Sequence, residues 1–375
     1  MNLKKQVVNF SILDALRGLA ALYVCVAHAR GLLWMGMGQY LKLHPYNTWK
    51  FYDYAVAALM SLTKLSAEFV IFFFVLSGFS IAHSLASKNE YFPFLKKRAL
   101  RLYPTYLLGL IWAAVILVIA MLYRPQYFTG ILNSENVLFT RFQNSTNFFS
   151  FKQIINNLFY NPNTSSIIAP YWSLVYEVIF YLLAPLFILR FRWYAIISAI
   201  LFITGFFISI DSVIVNYFVN YNFYFMVGIY SYHIILTLQK YVTGISIPLV
   251  LIICAISLGC MIVIESISPD NRFSMLLSAG LSLFLIANFL QKKIRINWLE
   301  KIGEFSYTLY ATHFQTILLL FIVYDLTGVI KTNNLSNPII WITAVPFSVI
   351  VAYLLYLVTE KKVKIYLNNL RSNRV

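Results

Sequence analysis

Long apolar runs, separated by short basic or aromatic-rich connections, dominate this chain. Runs of roughly 18–23 apolar residues are long enough to cross a ~30 Å hydrocarbon core as helices. Their approximate limits are 12–34, 67–86, 105–122, 172–189, 194–209, 216–236, 246–265, 273–290, 305–323 and 338–358. The fifth is short and the sixth is polar for a span, so the count is about ten. The pattern predicts an all-α polytopic membrane helix bundle, with both termini on the same side. Two connections are long, 35–66 and 123–171, and both mix aromatic with polar residues (Tyr40, Trp49 and Tyr52; Phe148, Phe149, Tyr160 and Tyr171). Aromatic side chains at a membrane interface are usually anchors. A lid or a carbohydrate-stacking surface is the functional alternative. No internal repeat, low-complexity tract or Gly/Ser linker is visible.

Composition agrees with the pattern. Of 375 residues, 60% are hydrophobic and only 11% charged, against about 25% charged in a soluble domain. No polar stretch is large enough for a separate soluble domain. The reading is one membrane domain over 1–375, with its core at about 11–360 and a short tail at 361–375. A net charge of +16 raises the question of nucleic acid, but the basic residues sit in short clusters beside the apolar runs, as topology signals do. No nucleic-acid partner is expected; the partner is the lipid bilayer.

The placement of charge orients the chain. The N-terminus, 87–104, 190–193, 237–245, 291–304 and the C-terminal tail together hold 19 of the 29 Lys and Arg residues. The opposite connections hold eight over much longer sequence, and Arg17 and Arg30 lie within the first run. The positive-inside rule makes the rich side, with both termini, cytoplasmic. Cys25, Cys254 and Cys260 all fall inside predicted spans, so a disulfide framework is not expected. The N-terminus imitates a signal peptide, with Lys4, Lys5, an apolar run and Ala27-His28-Ala29. Asp14 and Arg17 interrupt that run, and it is read as a span.

Ionisable residues inside a span are costly and are therefore candidates for function. The first span contains Asp14, Arg17 and His28. Arg17 and His28 are 11 residues apart, about three helical turns and ~16 Å along the axis, on one helix face. Asp14 is one turn before Arg17 and close enough to pair. A histidine can take a proton from a hydroxyl, and an arginine suits phosphate. The spacing fits an acyl-CoA entering from the cytoplasm, phosphates at basic residues and its thin arm directed toward His28. The plainer alternative is an Arg–Asp pair that pins the helix. Elsewhere, Glu177 lies just inside the fourth span in a run that includes Ser173. His313 is mid-span in the ninth, with Tyr307 and Tyr310. Glu68 opens the second span, ahead of Ser77-Gly78, a pair that permits close helix packing. His44, His83 and His233 lie near span ends. No zinc-ligand spacing, GxSxG elbow, Walker A loop or GxGxxG is present, so no metal is expected and chemistry must come from dispersed polar residues.

At these residues the chain resembles the acyltransferase-3 family of bacterial membrane acyltransferases. Five ordered blocks carry the resemblance. They are Leu13-Asp14-Ala15-Leu16-Arg17-Gly18 continuing to His28, Phe73-Phe74-Val75-Leu76-Ser77-Gly78-Phe79, Lys97-Arg98-Ala99-Leu100-Arg101-Leu102-Tyr103-Pro104, Trp172-Ser173-Leu174-x-x-Glu177, and Ser306-Tyr307-x-Leu309-Tyr310-x-x-His313-Phe314. The resemblance implies a multi-pass protein of the bacterial cytoplasmic membrane that takes acetyl from acetyl-CoA, a cosubstrate rather than a bound cofactor, to a glycan hydroxyl outside. It places the family's essential His on His28, its Arg on Arg17 and its span-four acid on Glu177. Two departures stand out. Ile71-Phe72 occupies the place of an acid before the second block, where Glu68 is the candidate substitute, and Val178 replaces a second acid beside Glu177.

The expected mechanism is attack of the acceptor hydroxyl on the thioester, with His28 as base, oriented by Glu177, or as a covalent acyl relay. Arg17, Arg98 and Arg101 would hold CoA phosphates. Asp14, Glu68, Ser173, Tyr307, Tyr310 and His313 are candidate acceptor-binding or supporting residues. The alternative class is a secondary transporter or flippase of a lipid-linked sugar, which would predict an internal repeat.

Overall fold

The computed structural model describes residues 11–34, 36–87, 91–129, 137–208, 212–242, 245–268, 271–290, 292, 294–329 and 338–372. Ten principal helices run through them. They are α1 (Ser11–Leu33), α2 (Ser66–Ser87), α3 (Tyr91–Tyr123), α4 (Trp172–Leu189), α5 (Phe191–Thr204), α6 (Asn222–Val242), α7 (Ile247–Ile267), α8 (Arg272–Phe289), α9 (Ser306–Leu326) and α10 (Pro338–Val358). Each expected span falls on one of them, and the described residues contain no strand. Among the described residues, eight stretches are long and apolar enough to cross a membrane. The chain is a polytopic helical membrane protein. Helix α5 is a shorter apolar helix of 14 residues, and α6 is not among the eight. These are the two elements that the sequence marked as short and polar.

Both long connections contain short helices. The first contains Met37–Leu43 and Phe51–Leu62, the second Val137–Gln143 and Phe151–Leu158. Polar side chains close these short elements. Tyr40 donates to Asp53 at 2.6 Å, and the Lys50 N–H donates to the other Asp53 oxygen at 2.7 Å. Ser150 caps Phe151–Leu158 by accepting from the Gln153 N–H. The basic block before the third span is also helical, because α3 begins at Tyr91 and runs for 33 residues, about 50 Å.

The helices form two compact units, each drawn from three stretches of chain. Unit one comprises residues 1–20, 65–98 and 176–304. Its centre is aromatic, with Phe225 stacked on Phe74 at 4.4 Å and on Phe180 at 4.3 Å. Helices α2 and α6 approach there through Gly78 and Gly228. A Cβ on Gly78 would lie 2.2 Å from the Phe225 carbonyl oxygen, and one on Gly228 would lie 2.2 Å from that of Val75. In the Ser77-Gly78 pair, the glycine thus provides the close packing.

Unit two comprises residues 21–64, 99–175 and 305–375. Tyr106, Tyr127, Tyr171, Phe139, Phe142 and Phe321 are fully buried in it. The hydroxyl of Tyr127 and the guanidinium of Arg124 both donate to Asp325, at 2.5 and 2.6 Å. The buried carboxylate of Glu360 accepts from Thr308 at 2.9 Å and pairs with Lys364 at 3.1 Å. Aromatic residues of the second connection divide between roles: Tyr171 and Phe148 are buried, whereas Phe149 and Phe159 are exposed.

Candidate functional site

In unit two, α1 and α9 bring two histidines together. His28 Nδ1 lies 2.8 Å from His313 Nε2. The ring planes are inclined by only 13° with centroids 5.1 Å apart. That separation exceeds the N···N distance by about a ring diameter, so the imidazoles meet edge to edge along the hydrogen bond. His313 is completely buried, whereas His28 keeps part of its surface exposed. The Phe314 ring stands nearly perpendicular to that of His28, with centroids 5.3 Å apart. The Arg141 guanidinium stands 5.9 Å above the same Phe314 ring and donates to the Thr164 carbonyl at 3.0 Å.

Other candidates support α9. Ser173 and Tyr310 share a 2.6 Å hydrogen bond, and the Tyr310 hydroxyl also lies 3.0 Å from the Pro170 carbonyl oxygen. Tyr171 donates to the Ala311 carbonyl at 2.9 Å. Tyr307 is partly buried on the same helix. Arg101 is partly buried in the section of α3 that belongs to unit two.

In unit one, the expected pair of Arg17 and Asp14 is present at 3.1 Å. A second guanidinium nitrogen of Arg17 donates to Ser80 on α2 at 2.5 Å. These bonds engage two of the five N–H donors of the fork. Glu177 accepts from Tyr181, one turn along α4, and from Ser77 at 3.5 Å. Ser77 and Tyr181 also bond to each other at 3.0 Å. Arg98 lies 5.5 Å over the Tyr181 ring and 5.6 Å over Phe94. Arg98 and Glu177 therefore belong to one cluster around Tyr181. Glu68 is buried and accepts from Ser274 of α8 at 2.5 Å, while its carbonyl accepts from Ser278 at 2.6 Å. This carboxylate ties α2 to α8.

The sequence offered Glu177 as a group that could orient His28; among the described residues, His28 Nδ1 shares its hydrogen bond with His313 Nε2. Two relationships had no sequence signal. The two histidines are separated by 285 positions, and Arg141 reads as an ordinary charge of a long connection. Among the described residues, no group of three or more His, Cys, Asp or Glu gathers in a metal-binding arrangement.

Comparison with known proteins agrees with this architecture. No curated protein and no solved structure matches the chain. Residues 10–357, nearly its whole length, match the family model described as an acyltransferase domain, Acyl_transf_3. The chain is a multi-pass membrane acyltransferase and belongs to the acyltransferase-3 family.

Proposed function

We propose that this acyltransferase moves an acetyl group from cytoplasmic acetyl-CoA to a hydroxyl of a cell-surface or exported glycan, across a bacterial cytoplasmic membrane. The observation that carries the reading is His28, an imidazole kept partly exposed inside an apolar helix and bonded by a buried partner. In the direct form, the acceptor hydroxyl gives its proton to His28 as its oxygen bonds to the thioester carbonyl carbon. The C–S bond then breaks, and the CoA sulfur leaves with the proton that His28 returns. In the relay form, the imidazole nitrogen attacks the thioester carbonyl carbon, the C–S bond breaks and CoA leaves as the thiolate. The acceptor hydroxyl oxygen then attacks the acyl-imidazole carbon, the N–C bond breaks, and the hydroxyl proton passes to the CoA thiolate.

Arg17 and Arg98, each with a guanidinium in unit one, are the proposed contacts for CoA phosphates. Arg17 has donors beyond its bonds to Asp14 and Ser80, and a guanidinium fork matches phosphate oxygens. Arg101 keeps its place in this proposal by its sequence position next to Arg98. Glu177, with Tyr181, is proposed to position Arg98. The family match favours an acyltransferase over the transporter alternative.

The test uses inverted membrane vesicles containing the full chain and their own glycans, supplied with radiolabelled acetyl-CoA. Wild-type vesicles should incorporate label into glycan, and His28→Ala should lose at least about 10²-fold in rate, the lower end of what a positioned base contributes. Wild-type incorporation by His28→Ala would refute both chemical forms. Label appearing in lipid or protein alone would refute the glycan acceptor.

A further inference from the structure

His28 has two ring nitrogens, and the structure distinguishes them. On α9, His313 Nδ1 lies 3.0 Å from the Leu309 carbonyl oxygen and 2.9 Å from that of Tyr310. A carbonyl oxygen only accepts, so Nδ1 of His313 carries the hydrogen. Both carbonyls belong to the preceding turn of α9, so the helix that bears the ring also sets its orientation. With its hydrogen on Nδ1, a neutral His313 presents a lone pair at Nε2. His28 Nδ1, 2.8 Å away, must then be the donor. Nε2 of His28 retains its lone pair.

We propose that His313 is a positioning residue that holds His28 in its Nδ1–H tautomer and makes Nε2 the reacting nitrogen. The inference rests on the reading of His28 as base or relay. It gives a buried imidazole the task that a carboxylate performs in a Ser-His-Asp triad, where loss of the correct tautomer costs about 10⁴-fold. A neutral partner suits this location. A carboxylate would have to be desolvated within an apolar span, whereas an imidazole brings no net charge. When Nε2 takes a proton, Nδ1–H still donates to His313, so the imidazolium keeps an acceptor at its buried end. The support continues outward. Ser173 and the Pro170 carbonyl hold the Tyr310 hydroxyl, and Tyr310 supplies one of the carbonyls that orient His313.

The test exploits the geometry of amide side chains. Glutamine places its terminal amide near the position of Nε2 and offers an oxygen to His28. Asparagine places its amide near Nδ1 and cannot reach. In the acetyl-transfer assay on the full chain in inverted vesicles, His313→Phe should lower kcat by about 10²–10⁴-fold, with KM for acetyl-CoA within about twofold. His313→Gln should recover to within about tenfold of wild type, and His313→Asn should stay as low as His313→Phe. The double variant His28→Ala/His313→Phe should be no slower than His28→Ala, because residues that act as a unit are not additive. Equal activity of the Gln and Asn variants, or full additivity in the double variant, would overturn the inference. If His313→Phe fails to accumulate as folded protein, the Gln-against-Asn contrast decides alone. Inactive His28→Ala with every His313 variant at wild-type rate would leave the role of His28 standing and remove that of His313. Fully active His28→Ala would instead remove the reading on which the inference depends.

Discussion

A carboxylate inside an apolar helix must be met by donors, and Glu177 shows which residues meet it. Tyr181 donates from one turn along the same helix, and Ser77 reaches it from α2. A hydrogen bond to a charged group contributes about 1.5–3 kcal/mol, more than a neutral one at about 1 kcal/mol. Tyr181→Phe is therefore expected to destabilise the protein by about 1.5–3 kcal/mol. Ser77→Ala, which removes a long bond to Glu177 and one to a phenol, should cost nearer 1 kcal/mol. Unfolding of the detergent-solubilised variants measures both, and a larger loss for Ser77→Ala would contradict the ranking. The sequence marked Ser77-Gly78 as one small-residue pair suited to packing. The structure separates the roles: Gly78 lets the backbones approach, while the Ser77 hydroxyl bonds Glu177 and Tyr181 of α4. Glu177, His28 and His313 were legible as polar groups in apolar runs. Their partners were not, since Ser77 to Glu177 spans 100 positions and His28 to His313 spans 285.

At the scale of elements, the crossing of α2 and α6 depends on backbone approaching backbone. A side chain on Gly78 or Gly228 would meet carbonyl oxygens at 2.2 Å, and a main chain cannot rotate away as a side-chain tip can. Gly78→Ala and Gly228→Ala are each expected to cost about 1–3 kcal/mol through forced separation of the helices. Gly280→Ala in α8, where no atom lies within 4 Å of the added carbon, should instead be neutral or gain up to about 1 kcal/mol of helix propensity. A thermal-shift series on the three variants checks the contrast. The same scale explains why α5 and α6 were the hardest spans to read. Asn222 accepts from Tyr194 and donates to Ser198, each at 2.8 Å, so a residue that lowers the hydropathy of α6 joins it to α5. A π-helical turn at Tyr217–Tyr221 precedes α6 and blurs its start further.

The connection between α8 and α9 offers a prediction in pH. Glu300, in the short helix Asn297–Glu304, bonds Arg295 at 2.8 Å and Ser11 at 3.1 Å. The Arg295 bond, followed by that from Ser11, holds its carboxyl below the usual range against the opposing effect of burial. A carboxylate depressed in the folded state contributes stability above its unfolded pKa, about 4.3 for Glu, and loses it as pH falls toward the depressed value. The advantage of wild type over Glu300→Gln should therefore be full at pH 6 and shrink below about pH 4. Melting temperatures of the two proteins at pH 6 and at successive values below pH 4 test the sign. A gap that widened on acidification would contradict it.

For the whole molecule, the decisive quantity is the side on which each connection lies. The 19 basic residues that share the side of the termini outnumber the eight in the opposite connections, and that imbalance predicts a cytoplasmic tail and external connections at 35–66 and 123–171. The structure supplies positions at which to test it. Lys152 is exposed in the short helix Phe151–Leu158, and Lys361 is exposed near the start of Glu360–Ser372. With Cys25, Cys254 and Cys260 replaced, Lys152→Cys should react with a membrane-impermeant maleimide in intact cells. Lys361→Cys should react only after the cells are opened. The reverse pattern would do more than exchange two labels. It would turn the Arg17 end of α1 toward the exterior, where acetyl-CoA is not supplied, and the donor half of the proposed reaction would fail with it. The orientation and the chemistry therefore stand on a common test, although one is read from charge counts and the other from a pair of imidazoles.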